Sequence, residues 1–248
     1  MPKFFTAREN IFENEIIINN EDAAHITRVL RHSVGDVITV CDGMGYDYSA
    51  RIESIEPKEI RCTVLSKEKC PSEPNISVTL FQGIPKAAKM DYIIQKTTEL
   101  GISRIVPVML SRCVVKLENK KAEEKKHERW QKIANEAAKQ CGRGVVPEVT
   151  MPVTLDEALK MAGESELVFA PYECEEKNRL RTVLTENNTA KSIGFIIGPE
   201  GGFDLSETEK IKAAGFETIT LGRRILRTET AGEAVLAMVM YELGDING

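Results

Sequence analysis

Hydrophobic and polar positions follow one pattern in the first quarter of the chain and another in the rest. In the first quarter, short β-rich runs are separated by turn residues, at residues 16–18, 37–40, 48–55 and 60–65. One helical segment, residues 20–30, interrupts these runs, and together they predict a small barrel. A polar segment with two prolines follows at residues 67–75 and is the predicted linker.

From residue 77 onward, strand-like and helix-like segments alternate. Predicted strands cover residues 77–82, 104–109, 167–170, 193–197 and 217–221. Predicted helices cover residues 88–100, 122–141, 154–162, 205–214 and 229–243, and capping boxes at Thr154 and Ser206 begin two of them. This alternation predicts an α/β domain whose parallel sheet is covered by helices. We therefore expect a barrel domain at residues 1–70 and an α/β domain at residues 76–248.

Composition and charge narrow the class of protein. No apolar run reaches the roughly 20 residues that a membrane helix needs, so we expect a cytoplasmic protein. The six cysteines form no Cys-x-x-Cys pair, which argues against a zinc site. The net charge of −5 divides unevenly, with +7 over residues 82–143 and −8 over residues 144–248. A local basic surface suits phosphate binding, although solvated helix faces would explain roughly half of these basic residues.

Two predicted strands each end in a glycine turn that carries polar residues. Gly198-Pro-Glu-Gly-Gly202 follows one strand, and the segment from Leu221 to Ala231, with sequence LGRRILRTETA, follows the other. In a parallel α/β sheet, such turns lie at the carboxyl ends of the strands, where ligands bind. Their spacing matches neither the dinucleotide fingerprint nor the phosphate loop. Because the three glycines of the first turn exceed what a plain β–α turn needs, we predict that this turn is a ligand-binding loop. In the second turn, packing does not explain three arginines within five residues beside a glycine.

These two loops closely resemble the second and third cofactor loops of knotted, SPOUT-class RNA methyltransferases, in particular the ribosomal RNA small subunit methyltransferase E family. The resemblance covers essentially the whole chain. It implies S-adenosylmethionine-dependent methylation of N3 of a uridine in 16S ribosomal RNA. It further implies a trefoil knot in the C-terminal domain, an N-terminal barrel similar to PUA-type RNA-binding domains, and a homodimer formed through the knotted domain. We expect neither a metal nor a membrane partner.

The resemblance also implies roles for individual residues. The implied cofactor-binding residues are Gly198, Pro199, Glu200, Gly201, Gly202, Leu221, Gly222, Ile225, Leu226, Thr230 and Ala231. Arg227 is the expected stabiliser of the uridine anion, and Glu229 is expected to order the loop or to accept the proton. The implied RNA-binding residues are His25, Arg28, Arg31, Lys86, Lys89, Arg112 and Arg143.

Several of these residues have structural alternatives. Helical spacing places His25, Arg28 and Arg31 on one face, which an exposed surface helix would also explain. For Arg112 and Arg143, pairing with a nearby glutamate, Glu99 or Glu136, competes with contact to RNA.

Other open alternatives concern the second glycine loop and the function as a whole. Arg223 and Arg224 would also suit solvated surface, and Thr228 or Thr230 would suit the N-cap of the last helix. Two further functions stay open. One is a knotted methyltransferase that acts on transfer RNA or on a ribose 2′-OH, and the other is a non-catalytic RNA-binding ribosome assembly factor.

Overall fold

The computed structural model describes residues 3–114 and 120–246, with Asn20, Glu21 and His25 described by their backbone alone. The chain divides into two compact units, Met1–Glu73 with Ala138–Val146 and Pro74–Ala137 with Pro147–Gly248. Across the described ranges, no helix combines the length and the apolar character that crossing a membrane requires. The same ranges contain no group of three or more His, Cys, Asp or Glu side chains that could hold a metal ion.

Five strands form the sheet of the first unit. They are β1 (Lys3–Phe5), β2 (Glu15–Asn19), β3 (Val37–Cys41), β4 (Tyr46–Ile55) and β5 (Glu59–Lys69), in the order β1-β3-β4-β5-β2. Alternate side chains point inward, so that residues such as Ile16 and Ile52 are fully buried in one apolar core. The sheet curls so that its two edge strands, β1 and β2, approach each other. The Thr6 hydroxyl after β1 donates to the Ile17 carbonyl of β2 at 3.1 Å. The predicted β-rich unit is confirmed, with β1 as an additional strand.

The helical segment of this unit differs from the prediction. Helix α1 (Asn20–Ala24) passes into a π-helix (His25–Val29), and Arg31 lies beyond both with a φ of 59°. Because a π-helix has wider spacing and Arg31 has left-handed backbone, the prediction that His25, Arg28 and Arg31 share one helical face is wrong. Arg28 and Arg31 are both exposed, and the His25 side chain lies outside the described part of the structure.

The polar segment after the first unit also begins later than predicted. Strand β5 continues to Lys69, which pairs with Tyr46 of β4. The backbone of Cys70 still donates to the carbonyl of Gly45 at 2.8 Å. The hydrogen bonds of the sheet therefore hold residues 67–69, although their sequence is polar.

Seven strands form the sheet of the second unit. They are β6 (Ser77–Gly83), β7 (Arg104–Met109), β8 (Glu148–Val149), β9 (Val153–Thr154), β10 (Leu167–Pro171), β11 (Ser192–Ile197) and β12 (Glu217–Ile219). Six follow the order β12-β10-β11-β6-β7-β8, β9 also pairs with β7, and every pairing is parallel. The predicted parallel α/β sheet is confirmed, and the trefoil knot stays a prediction.

Six helices cover this sheet. They are α2 (Lys89–Glu99), α3 (Lys120–Cys141), α4 (Leu155–Ala162), α5 (Leu180–Glu186), α6 (Leu205–Ala213) and α7 (Thr228–Glu242). The capping box at Thr154 is confirmed. The box that begins α6 is formed by Asp204 and Glu207, two residues before the predicted one at Ser206, because aspartate caps a helix as well as serine does. Helix α5 and the two-residue strands β8 and β9 were not predicted.

The C-terminal helix α7 has a buried face and an exposed one. It packs against α2 and lies on β6 and β11, and Val235, Val239 and Met240 on that side are fully buried. Met238 and Tyr241 point away from the core and are 41% and 59% exposed. This packing places the start of α7 next to the carboxyl ends of β6 and β11.

Candidate active site

A cleft of about 1480 Å³ lies where strands β10, β11 and β12 end. The segments that follow these three strands line it, at residues 171–176, 197–203 and 220–228. Parallel strands in open α/β sheets bind ligands at this edge. Ten of the eleven predicted cofactor residues line the cleft. Thr230 lines a neighbouring cavity of about 460 Å³ instead, together with Glu229 and Glu233.

The first glycine loop turns so tightly that its glycine positions leave little room for a side chain. The backbone N–H of Gly202 donates to the Pro199 carbonyl at 2.9 Å, and Gly202 has a φ of +67°. A Cβ on Gly198 would lie 3.2 Å from the Gly202 carbonyl carbon, which is tighter than ordinary contact. The loop therefore presents backbone to the cleft, as the sequence predicts.

A buried threonine joins the two glycine loops. The hydroxyl of Thr228 donates to the Gly198 carbonyl at 2.7 Å and accepts a hydrogen bond from Gln82 Nε2 at 2.9 Å. Arg227 occupies the N-cap position of α7 without a side-chain cap, so the alternative that Thr228 or Thr230 caps this helix is wrong. The role of Gln82 was not predicted, although a polar residue at the end of an apolar strand is a visible signal.

A lysine joins the same two loops a second time. Lys89 Nζ lies 3.3 Å from Glu200 Oε1 of the first loop and 3.1 Å from Glu229 Oε2 of the second. The backbone N–H of Lys86 also donates to Glu200 at 3.1 Å. The charge of Lys89 is thus engaged by two carboxylates, which moves this residue from the implied RNA surface to the joint between the loops. The Lys86 side chain is exposed.

The three glutamates near this joint differ in their pKa. Burial opposes the ionisation of Glu200 and Glu229, but backbone N–H groups and the Lys89 ammonium outweigh it and lower the pKa of both. Burial raises the pKa of Glu233, and its neighbours Glu229 and Glu99 add to that shift. Glu233 Oε1 is buried and has no hydrogen-bond partner in the described residues. The paired carboxylates are ionised at neutral pH, and the Glu233 carboxyl resists ionisation.

The two remaining arginines with implied RNA roles, Arg112 and Arg143, bond to other groups of the fold. Arg112 Nη1 donates to the Gly201 carbonyl at 2.7 Å, so it supports the first glycine loop although its side chain is exposed. Arg143 is 4% exposed and pairs with Glu73 at 2.9 Å inside the first unit. We therefore withdraw Arg143 from the RNA surface, because a buried, paired guanidinium does not reach a phosphate.

The alternative partners that the sequence offered for these arginines are used elsewhere. Glu99 pairs with Lys96 at 2.9 Å, and Glu136 lies 4.0 Å from Lys132. Among the described residues at 82–143, seven basic side chains form ion pairs, namely Lys89, Lys96, Arg104, Arg129, Lys132, Lys139 and Arg143. The charge excess of this segment is therefore partly neutralised by ion pairs within the fold, and the solvated-face interpretation stays a prediction.

The third wall of the cleft was missed at the sequence level. Residues 171–176 follow β10 and include Glu173, whose carboxylate lies 2.6 Å from the position that a Cβ on Gly202 would take. The polar run after a predicted apolar strand was the available signal. The loop that follows a parallel strand lies at the carboxyl edge of the sheet, where ligands bind.

Two family models match the chain. Residues 72–240 match the RNA methyltransferase domain, and residues 18–65 match the RNA methyltransferase PUA domain. A relative, the ribosomal RNA small subunit methyltransferase E of Bacillus subtilis (strain 168), is 34% identical over 235 residues, which cover 93% of this chain and 91% of the relative. Both the fold and the sequence thus point to one family.

Solved structures agree with these matches. A ribosomal RNA small subunit methyltransferase E from Neisseria gonorrhoeae bound to S-adenosyl methionine has a TM-score of 0.85 at 33% identity, and the match covers 99% of each chain. A methyltransferase from Legionella pneumophila in complex with the bound cofactor SAM has a TM-score of 0.85 at 30% identity, again over 99% of each chain.

Proposed function

This chain belongs to the ribosomal RNA small subunit methyltransferase E family, and from that premise we propose that it transfers the methyl group of S-adenosylmethionine to N3 of a specific uridine in 16S ribosomal RNA. The observation that carries the proposal is the cleft formed by two glycine loops that Thr228 and Lys89 join. Because the proposed substrate is ribosomal RNA, we propose that the protein acts in the cytoplasm.

The cleft suits a nucleoside-sized cofactor beside a nucleotide. Drug-sized ligands occupy pockets of about 300–1,000 Å³, and the volume here is about 1480 Å³. Gly198, Gly202 and Gly222 line the cleft without side chains, so a ligand can approach their backbone, and the positive φ of Gly202 and Gly222 favours glycine. S-adenosylmethionine supplies an electrophilic methyl group when it is bound. The loops need only orient donor and acceptor for displacement in line with the sulfonium.

The chain must also handle the proton on uridine N3. N3 is a poor nucleophile until that proton leaves, so a cation that stabilises the uridine anion at O2 or O4 accelerates transfer. Arg227 lines the cleft and is exposed, which fits this role. Glu229 has a lowered pKa and is paired with Lys89, so ordering the loop suits it better than accepting the proton.

RNA binding in this proposal relies on both units. The PUA-type first unit presents Arg28 and Arg31 in exposed positions, and Lys86 is exposed in the second unit. Because Lys89 and Arg143 are engaged in ion pairs, they are no longer part of this set.

A direct experiment identifies the methylated atom. Small-subunit ribosomal RNA that lacks the modification is incubated with the protein and labelled S-adenosylmethionine, digested to nucleosides and analysed by mass spectrometry. We expect N3-methyluridine, and about 100-fold less product with Arg227→Gln, as for the loss of one anion-stabilising donor. Lys212→Gln, outside the cleft, is the matched control. Label on a ribose oxygen or only in transfer RNA would support the alternative methyltransferases, and no label would support the non-catalytic factor.

We also propose that α7 forms a homodimer interface. Met238 and Tyr241 on α7 and Tyr92 on α2 are large and exposed, which is typical of a surface that binds a partner. Val235 is fully buried in the chain's own core, so a charge there would test folding and not association. Met238→Glu and Tyr241→Glu should therefore sediment as folded monomers. Because Met238 also lines the cleft and Tyr241 does not, the loss of activity expected for Tyr241→Glu is the one that links activity to the dimer. A wild-type protein that sediments as a monomer would refute the dimer.

A further inference from the structure

All the arginines of residues 144–248 line the cleft. These five are Arg179, Arg181, Arg223, Arg224 and Arg227. The five lysines of the same segment do not line it, namely Lys160, Lys177, Lys191, Lys210 and Lys212. This segment has a net charge of −8, and lysine would serve solubility as well as arginine does. Solubility therefore does not explain why the arginines line the cleft and the lysines do not.

Backbone contacts bring the arginines of two loops together. The Asn178 carbonyl accepts a hydrogen bond from the Thr220 N–H at 2.7 Å, and Arg179 forms a parallel bridge with Thr220. Arg179 and Arg181 therefore lie beside residues 221–224, which carry the next two arginines. We name Arg179, Arg181, Arg223 and Arg224 the arginine rim.

The arginine rim lacks carboxylate partners. Its four side chains are exposed, and none forms an ion pair within the described residues, whereas Arg61, Arg104 and Arg129 do. Four glutamates, Glu173, Glu175, Glu176 and Glu200, line the same cleft, but none forms an ion pair with the rim in the described residues. Glu200 pairs with Lys89 instead, and the Glu175 carboxylate accepts hydrogen bonds from the backbone N–H groups of Lys177 and Asn178 and from the Thr218 hydroxyl. The rim is therefore a concentration of positive charge that the fold leaves available to an external anion.

Phosphate is the anion that this surface suits. The planar guanidinium matches two phosphate oxygens at once, which the lysine ammonium does not. Guanidinium groups also stack on unpaired bases, the form in which proteins read RNA loops. We propose that the arginine rim binds the RNA phosphates next to the target nucleotide, an inference that rests on the proposed function because it takes the methyl acceptor to be RNA.

The test removes two rim charges that lie outside both glycine loops. Arg179→Gln/Arg181→Gln is compared with Lys160→Gln/Lys212→Gln, which removes two exposed charges of the same unit outside the cleft. The affinity for a small-subunit ribosomal RNA fragment is measured over a range of salt concentrations. We expect the rim variant to bind about tenfold more weakly at low salt, with a salt slope smaller by about 1.4, since each single-strand phosphate contact contributes about 0.7. The control should bind like wild type, and calorimetry should show unchanged S-adenosylmethionine affinity in both.

Each other outcome overturns the inference. Wild-type RNA affinity and slope in the folded rim variant would make the rim a solvated surface. Loss of S-adenosylmethionine affinity alone would assign it to the cofactor, and dissociation in the centrifuge would assign it to a second copy of the chain. An equal RNA defect in the lysine control would show a general charge effect. Failure of the proposed function is distinguishable, because wild-type protein itself would then leave ribosomal RNA unmethylated.

Discussion

The joint between the two glycine loops and the arginine rim, two of whose arginines belong to the second loop, line the same cleft but are held in opposite ways. The glycine loops are tied to each other by the Thr228 hydroxyl and by the Lys89 ammonium, whose partners lie within 3.3 Å. The arginine rim has no carboxylate partner in the described residues. A preformed surface lowers the ordering cost of a small ligand, whereas unpaired exposed cations attract a polyanion. The difference fits the proposed division of the cleft into a cofactor side and an RNA side.

The largest effect should come from a branched side chain in the first glycine loop. Gly202→Val would force a β-branched residue to a φ of +67° and would bring its Cβ to 2.6 Å from the Glu173 carboxylate. We expect S-adenosylmethionine affinity to fall roughly 100-fold, or about 2.7 kcal/mol, in calorimetry.

A matched glycine separates backbone strain from damage to the cleft. Gly215 after α6 has a φ of +84° with open space around it and does not line the cleft. Gly215→Val should destabilise the fold through the same kind of backbone strain but should keep its cofactor affinity. Equal cofactor affinity in the two folded variants would remove the first glycine loop from the cofactor site.

Removal of the buried hydroxyl should have the next largest effect. Thr228→Val keeps the shape of the side chain but leaves Gln82 Nε2 and the Gly198 carbonyl without this partner. We expect a loss of about 1–3 kcal/mol in the free energy of unfolding, with weaker cofactor binding. Thr97→Val is the control, since the fully buried Thr97 hydroxyl bonds only within α2. If both variants bound the cofactor equally well, Thr228 would stabilise the fold without organising the loops.

Loss of the lysine between the loops should cost less and should change the pH dependence. The pKa values of Glu200 and Glu229 are lowered, so their contribution to stability is present above the ordinary value of 4.5 and is lost as the pH falls through the lowered values. Lys89→Met should destabilise by about 1 kcal/mol at neutral pH, because pairs near solvent contribute little, and should flatten the acid limb of a stability profile.

Lys96→Met is the control for this change, since Lys96 pairs with Glu99 on the same helix. It should leave cofactor affinity unaltered, whereas Lys89→Met should weaken it. If Lys89→Met weakened only RNA binding, the original assignment of Lys89 to the RNA surface would stand.

The smallest effect concerns the glutamate beside the joint. The pKa of Glu233 is raised, so its carboxyl favours the fold below the ordinary value of 4.5 and loses that contribution as it ionises at higher pH. Glu233→Gln should raise the midpoint of thermal unfolding by about 1–2 °C at neutral pH and by less in acid. Glu242→Gln, exposed on the same helix, should show no such difference. A lower midpoint for Glu233→Gln would show that the ionised carboxylate has a partner.

The sequence by itself determined the longer elements of the second unit and the two glycine loops, but not β1, α5, β8 or β9. Strand–helix alternation and the cap at Thr154 are local signals, since they depend on residues within a few positions of each other. Glycine is likewise readable locally, because positive φ and close backbone approach favour it wherever they occur. Local ambiguity also explains the errors, as at Ser206, where a neighbouring aspartate caps the helix instead.

Only the tertiary structure decided which polar side chains are used by the fold and which are left for ligands. Gln82 and Thr228 bond to each other across 146 residues of chain, and nothing near either residue indicates that pairing. The same holds for Arg143, which the sequence predicted as an RNA contact and which is buried and paired with Glu73. It holds also for Arg179, which was not predicted and lines the cleft. Charge and residue type are properties of a position in the sequence, but the presence or absence of a partner is a property of the folded arrangement.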